Sequence, residues 1–92
     1  MQVPNDLKIK YLSRRIQDIN KLLLGLEQDD FTLAMKLGHQ VKGNALTFDF
    51  PQMADLGSEI EKAAQVKNKH QVLSLVKKME QVITEAQQHI FH

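Results

Sequence analysis

The apolar residues of this chain recur at alternating spacings of three and four, and that rhythm confines it to helices. Ile9, Leu12, Ile16, Ile19, Leu23 and Leu26 keep this spacing without a break. On a helix of 3.6 residues per turn such positions fall in a single stripe. The stripe predicts a first helix from about Asp6 to Leu26, with Asn5 or Asp6 accepting from the free amides of its first turn. Lys8, Arg14, Arg15 and Lys21 lie off the stripe and read as a solvated basic face.

Three more segments follow the same rule. Gln28-Asp29-Asp30 breaks the pattern and supplies a cap, after which a helix from about Asp30 to Thr47 turns Phe31, Ala34, Val41, Ala45 and Phe48 inward. Pro51 disfavours helical geometry at Phe50 and suits a first helical turn, so a third helix runs from there to about Gln65. It would bury Met53, Leu56, Ile60 and Ala64. Asn68 with Gln71 three residues on resembles a capping box for a last helix carrying Val72, Val76, Met79, Ile83, Ala86 and Ile90. No stretch alternates with period two. Four amphipathic segments on short links predict an all-α, antiparallel up-down four-helix bundle, with residues 1–92 as one domain.

Composition narrows the function classes. The 92 residues include no cysteine, which removes disulfides, thiolate metal sites and thiol nucleophiles. A formal charge of +1, from 12 basic and 11 acidic residues, argues against nucleic-acid binding. No apolar run approaches membrane-spanning length, and the N-terminus lacks the features of a signal peptide. A cytoplasmic protein, expected to be a monomer, is the simplest reading. Di-iron bundles need Glu-x-x-His pairs, and the nearest approach is Glu85 with His89 at a spacing of four, so no metal site is expected. His70, His89 and His92 read as surface residues.

One histidine is different. On a wheel with Val41 at zero, Ala34, Leu37, Gly38, Ala45 and Phe48 lie within about 60°, whereas His39 lies near about 160°. It is held outward with Met35, Lys42, Gly43 and Leu46 around it. Lys42 is one turn along on the same side, where its ammonium can offset a negative charge arriving on His39 or pair with an acidic pocket on a partner. Gly43 is a poor helix former beside an exposed imidazole, which suggests close approach by something else; the alternative is a tolerated helix glycine like Gly25 and Gly57. Met35, Lys36 and Leu46 form a candidate docking surface.

A partner for His39 follows from the hairpin. His39 stands eleven residues before Phe50 and Glu61 eleven after it, so an antiparallel pair places them at similar height. Glu61 lies about 100° from Ile60, on the flank of its apolar stripe. A carboxylate accepting from one ring nitrogen would fix the tautomer and leave the other nitrogen free as a nucleophile. Glu61 reads equally well as a solvated surface acid.

His39-Gln40-Val41-Lys42-Gly43 resembles the His-x-x-Lys-Gly pattern of histidine-containing phosphotransfer (HPt) domains. The continuation Asn44-Ala45-Leu46-Thr47-Phe48-Asp49-Phe50 and the third helix ending Glu61-Lys62-Ala63-Ala64 look especially like the phosphotransfer domain of chemotaxis histidine kinases. Asn44 and Leu46 depart from the small residues usual there, and Ser58 stands where those kinases carry a second histidine. The resemblance implies a four-helix phosphocarrier in a two-component phosphorelay, without kinase activity of its own. It implies His39 as phosphoacceptor, Glu61 as its hydrogen-bond partner, Lys42 beside the phosphate and Gly43 as the close-approach glycine. It also implies a response-regulator receiver domain and a sensor or hybrid histidine kinase as partners, with Mg²⁺ on the receiver and no cofactor on this chain. A chain that begins with methionine and closes as its last helix fades is expected to be a free-standing carrier. The competing reading is a helical interaction module that binds a receiver or kinase without carrying phosphate.

Overall fold

The computed structural model describes residues 3–91. It contains α1 (Asn5–Glu27), α2 (Thr32–Asn44), α3 (Pro51–Gln65) and α4 (Lys69–Phe91), in chain order, with no strand among the described residues. Contacts run from α1 to α2, α2 to α3, α3 to α4 and α4 back to α1. The helices therefore form a closed ring of sequential neighbours, the antiparallel four-helix bundle that the apolar spacing predicted.

The core fills the middle of that ring. Leu12, Ile19, Leu22 and Leu26 of α1 meet Val41 of α2, Met53 and Ile60 of α3, and Val72, Val76, Met79 and Ile83 of α4, all essentially without solvent contact. Apart from Ile9, which is half-buried outside the cluster, the inward residues assigned from sequence are buried or packed against it, Ile16, Leu23, Phe48, Leu56, Ala86 and Ile90 in the second group. The α1 stripe is displaced from expectation. Leu22 is buried in preference to Leu23, and Arg15 lies inside, not on a solvated face. The cause is visible in its neighbours: Tyr11 and Arg15 occupy the α1 flank turned toward α2. The Tyr11 hydroxyl donates to Asn44 Oδ1, its ring stacks on Phe48 at 4.2 Å, and the Arg15 guanidinium sits 4.9 Å over the same ring. An aromatic face offers a guanidinium both apolar cover and cation–π attraction, so this one cation stays inside.

The helix ends depart from the sequence reading in instructive ways. Neither Asn5 nor Asp6 caps α1. Pro4 takes the N-cap position, and its carbonyl accepts from the amides of Leu7 (3.1 Å) and Lys8 (3.2 Å). Asp30 does not hold the N-cap position either: Phe31 does, α2 starts at Thr32, and Asp30 Oδ1 accepts from the Thr32 amide at 2.9 Å from one residue further out. That contact holds the Asp30 carboxyl below its ordinary range. α2 ends at Asn44, short of Thr47, because the amides of Thr47, Phe48 and Asp49 bond back three residues, not four. Asn68 caps α4 as expected, accepting from the Gln71 amide at 3.1 Å.

All three interhelical turns close alike, and none uses glycine at the critical position. Asp29, Asp49 and Lys67 have φ of 58°, 67° and 56°. After each, the next amide reaches the carbonyl five residues back: Asp30 to Gly25, Phe50 to Ala45 and Asn68 to Ala63, each at 2.9 Å. These are Schellman closures, which glycine normally serves because a Cβ disfavours the left-handed conformation by roughly 1–2 kcal/mol. Lys67→Gly should therefore raise stability by about 0.5–1 kcal/mol, measured as a shift in urea midpoint at constant slope. A lowered midpoint would show that the lysine side chain contributes more than its backbone conformation costs.

Candidate functional site

The site begins with two backbones brought unusually close. A Cβ placed on Gly38 would stand 2.6 Å from the Glu61 amide nitrogen and 2.7 Å from the Gly57 carbonyl oxygen. One placed on Gly57 would stand 2.8 Å from the Lys42 nitrogen and 2.9 Å from the Gly38 carbonyl. Each glycine is thus a seat for the other helix, and any side chain there would force α2 and α3 apart. Gly57 is more than a tolerated helix glycine.

That approach lets one short acidic side chain span two residues on the facing helix. Glu61 Oε2 lies 2.8 Å from His39 Nδ1, and its Oε1 accepts from Lys42 Nζ, also at 2.8 Å. The Glu61 side chain is 15% exposed, whereas that of His39 is 72% exposed. The carboxyl is held below its usual range, first by the Lys42 hydrogen bond, which outweighs the opposing effect of desolvation, with a lesser contribution from His39. An ionised carboxylate is an acceptor only, so Nδ1–H is the donor, and in the neutral ring Nε2 carries the free lone pair. The ring is consequently oriented, fixed in tautomer and open to solvent.

Three of the residues singled out from sequence, His39, Lys42 and Glu61, are therefore joined. The open choice at Glu61 falls on the side of contact. Lys42 is engaged by Glu61 and does not stand free. Gly43 is exposed, with nothing within 4 Å of a Cβ built on it. Met35 and Leu46 are exposed apolar side chains on the same helix and its following turn, Leu46 being 64% exposed. Lys36 is exposed too, and lines a groove between α1 and α2. His70 and His89 are exposed, while His92 lies outside the described residues. Sequence reasoning missed Gly38 as a close contact, since its wheel position marked it as inward without saying what it faces. A second glycine on the next helix, Gly57, one turn before Glu61, was the available signal.

A family model described as the Hpt domain matches residues 9–89. The chain belongs to that family. No curated protein and no solved structure matches it. Hpt domains serve histidine phosphotransfer in two-component signalling, as phosphocarrier modules working with kinases and receiver domains. The match covers all four helices, including the His39-to-Gly43 motif and Glu61. No helix among the described residues is long and apolar enough to cross a membrane.

Two measurements follow. Gly38→Ala and Gly57→Ala should each lower stability by about 1–3 kcal/mol through overpacking, despite the better helix propensity of alanine. Gly43→Ala, facing open space, should raise it by up to about 1 kcal/mol. Thermal or urea unfolding of the three variants reads both signs, and destabilisation of Gly43→Ala matching the other two would contradict the packing account. The second measurement concerns Glu61. Its folded carboxyl titrates below its unfolded value, so its stabilising contribution is present above the unfolded pKa and fades as pH falls through the folded one. The Glu61 carboxyl resonance should titrate below ordinary glutamates and move upward in Lys42→Met.

Proposed function

We propose that this chain is a histidine phosphocarrier in which His39 Nε2 accepts a phosphoryl group and returns it to an aspartate of a response-regulator receiver domain. The observation that carries this reading is the 2.8 Å contact between His39 Nδ1 and Glu61 on an otherwise exposed ring. In the accepting direction the Nε2 lone pair attacks phosphorus, a P–N bond forms, and the P–O bond to the donor aspartate breaks, releasing its carboxylate. No proton has to move. The ring keeps its Nδ1–H and becomes cationic, and Glu61 stabilises that charge. In the reverse direction the receiver's carboxylate attacks phosphorus and the ring departs as neutral imidazole, a good leaving group because Nδ1 stays protonated.

Lys42 has two roles in this scheme. In the free protein it offsets the charge of Glu61, and on the phosphorylated protein its ammonium lies near enough to turn toward the phosphoryl oxygens. Gly43 leaves space over which a partner's backbone and phosphoryl group can approach in line, and Met35, Lys36 and Leu46 offer the partner its contact surface. The acidic Mg²⁺ site belongs to the receiver, with no cofactor bound by this chain, and the phosphoryl group enters from a sensor or hybrid histidine kinase in trans. A cytoplasmic monomer is the state in which we expect this exchange.

A phosphotransfer assay tests the assignment. His39→Gln should take up no phosphoryl group from a competent donor, and uptake by that variant would refute the acceptor. Glu61→Ala should fold but transfer at least about ten-fold more slowly, with the His39 ring populating both tautomers by NMR. An unchanged rate together with an unchanged tautomer would remove Glu61 from the mechanism.

A further inference from the structure

A groove of about 290 Å³ runs between α1 and α2, beside the face that carries His39. Its walls hold four cations, Arg14, Arg15, Lys21 and Lys36, against the single carboxylate of Asp18. Asp18 is already committed: Arg15 Nη2 donates to its Oδ2 at 2.9 Å, and Arg14 Nε lies 4.0 Å from its Oδ1. Arg15 is more than nine-tenths buried, and its Nε–H has no acceptor among the described residues. A guanidinium so placed, clamped over Tyr11, is a fixed charge that its neighbours only partly offset.

Resting on the phosphocarrier reading, we infer that this groove is a docking surface for an acidic edge of the protein that exchanges phosphoryl groups with His39. Charge complementarity selects an acidic partner. Spacing selects a protein edge over a small anion: Arg14 and Lys21 stand seven residues apart on one helix, about 10 Å along its axis, beyond the span of one phosphate. Position selects the phosphoryl partner. Lys36 lies three residues before His39 and Gln40 directly after it, so the groove wall and the acceptor share α2. An acidic edge drawn toward Arg14 and Lys21 would lie alongside the exposed imidazole, and the rigid helix pair would fix its register.

The test is phosphotransfer to a receiver domain at varied receiver concentration and ionic strength, using charge reversals on exposed residues. Arg14→Glu with Lys21→Glu should raise the half-saturating receiver concentration about ten-fold at low salt, while the rate at saturation holds. The difference should shrink as salt rises. Lys77→Glu with Lys78→Glu, exposed on α4, makes the same change in net charge and should leave half-saturation unmoved. Equal shifts in both double variants would reduce the effect to overall charge and overturn the inference, as would no shift in either. Saturable perturbation of the Arg14, Arg15 and Lys21 resonances by inorganic phosphate would reassign the groove to a small anion. A wild-type protein that exchanges phosphoryl groups but ignores the groove reversals sinks this inference alone. One that accepts no phosphoryl group sinks the reading beneath it as well.

Discussion

The contact between the Gly38 and Gly57 backbones is the constraint on which the site depends. Helices normally stand apart by the thickness of the side chains between them. Here both helices dispense with a Cβ at one level, and each backbone takes the space that the other vacates. Glu61, one turn beyond Gly57, is then close enough for its two carboxylate oxygens to reach Nδ1 of His39 and Nζ of Lys42 together. Had α2 and α3 been separated by ordinary side chains, a glutamate would have had to choose between those partners or meet neither through a direct hydrogen bond.

Register matters as much as distance, and the turns supply it. The α2–α3 connection closes with the Phe50 amide on the Ala45 carbonyl and with Asp49 in the left-handed region. Phe48 and Phe50 stack on Tyr11, and the Tyr11 hydroxyl reaches Asn44 at the end of α2. Burial raises the Tyr11 pKa, outweighing the opposing influence of Arg15, so this phenol stays protonated and remains a donor to Asn44 across the physiological range. One aromatic cluster thus anchors the turn whose length sets His39 opposite Glu61. Lys69 Nζ donates to Asp29 Oδ1 at 3.1 Å, joining the α1–α2 turn to the start of α4.

Much of this was legible in the linear chain because periodicity records which face of a helix is apolar. His39 stood out as exposed on that basis alone, and counting from Phe50 in both directions brought Glu61 to its height. What escaped was whatever depends on distance between axes. A helical wheel gives the azimuth of Gly38 but not the depth of the groove it opens, so the contact between α2 and α3 at Gly38 and Gly57 went unread, Gly43 having been singled out for approach from outside. Arg15 escaped for a related reason: charge alone suggested solvent, and only the position of the Tyr11 ring shows how a guanidinium could remain inside. The end of α2 was misplaced because the backbone continues turning through Asp49 with three-residue bonds, which leave apolar spacing nearly unchanged.

The electrostatics of the trio separate orientation from stability. Exposed ion pairs contribute little to folding, because water already solvates both charges and holding long side chains still has an entropic cost. His39 is mostly exposed, so its hydrogen bond to Glu61 is a poor candidate for a folding interaction. Glu61 is different: its side chain is mostly sheltered at the base of the pair, and the Lys42 hydrogen bond holds its carboxyl below the usual range. The lysine therefore acts on the histidine through the carboxylate. By favouring the charged form of Glu61 it supports an acceptor for Nδ1–H, and that acceptor turns Nε2 outward. A chain selected only for a stable bundle would have little use for a sheltered glutamate shared between an exposed imidazole and a lysine. A chain that must present one defined nitrogen to a visiting protein needs that arrangement, and needs the helices beneath it to be as close as two glycines allow.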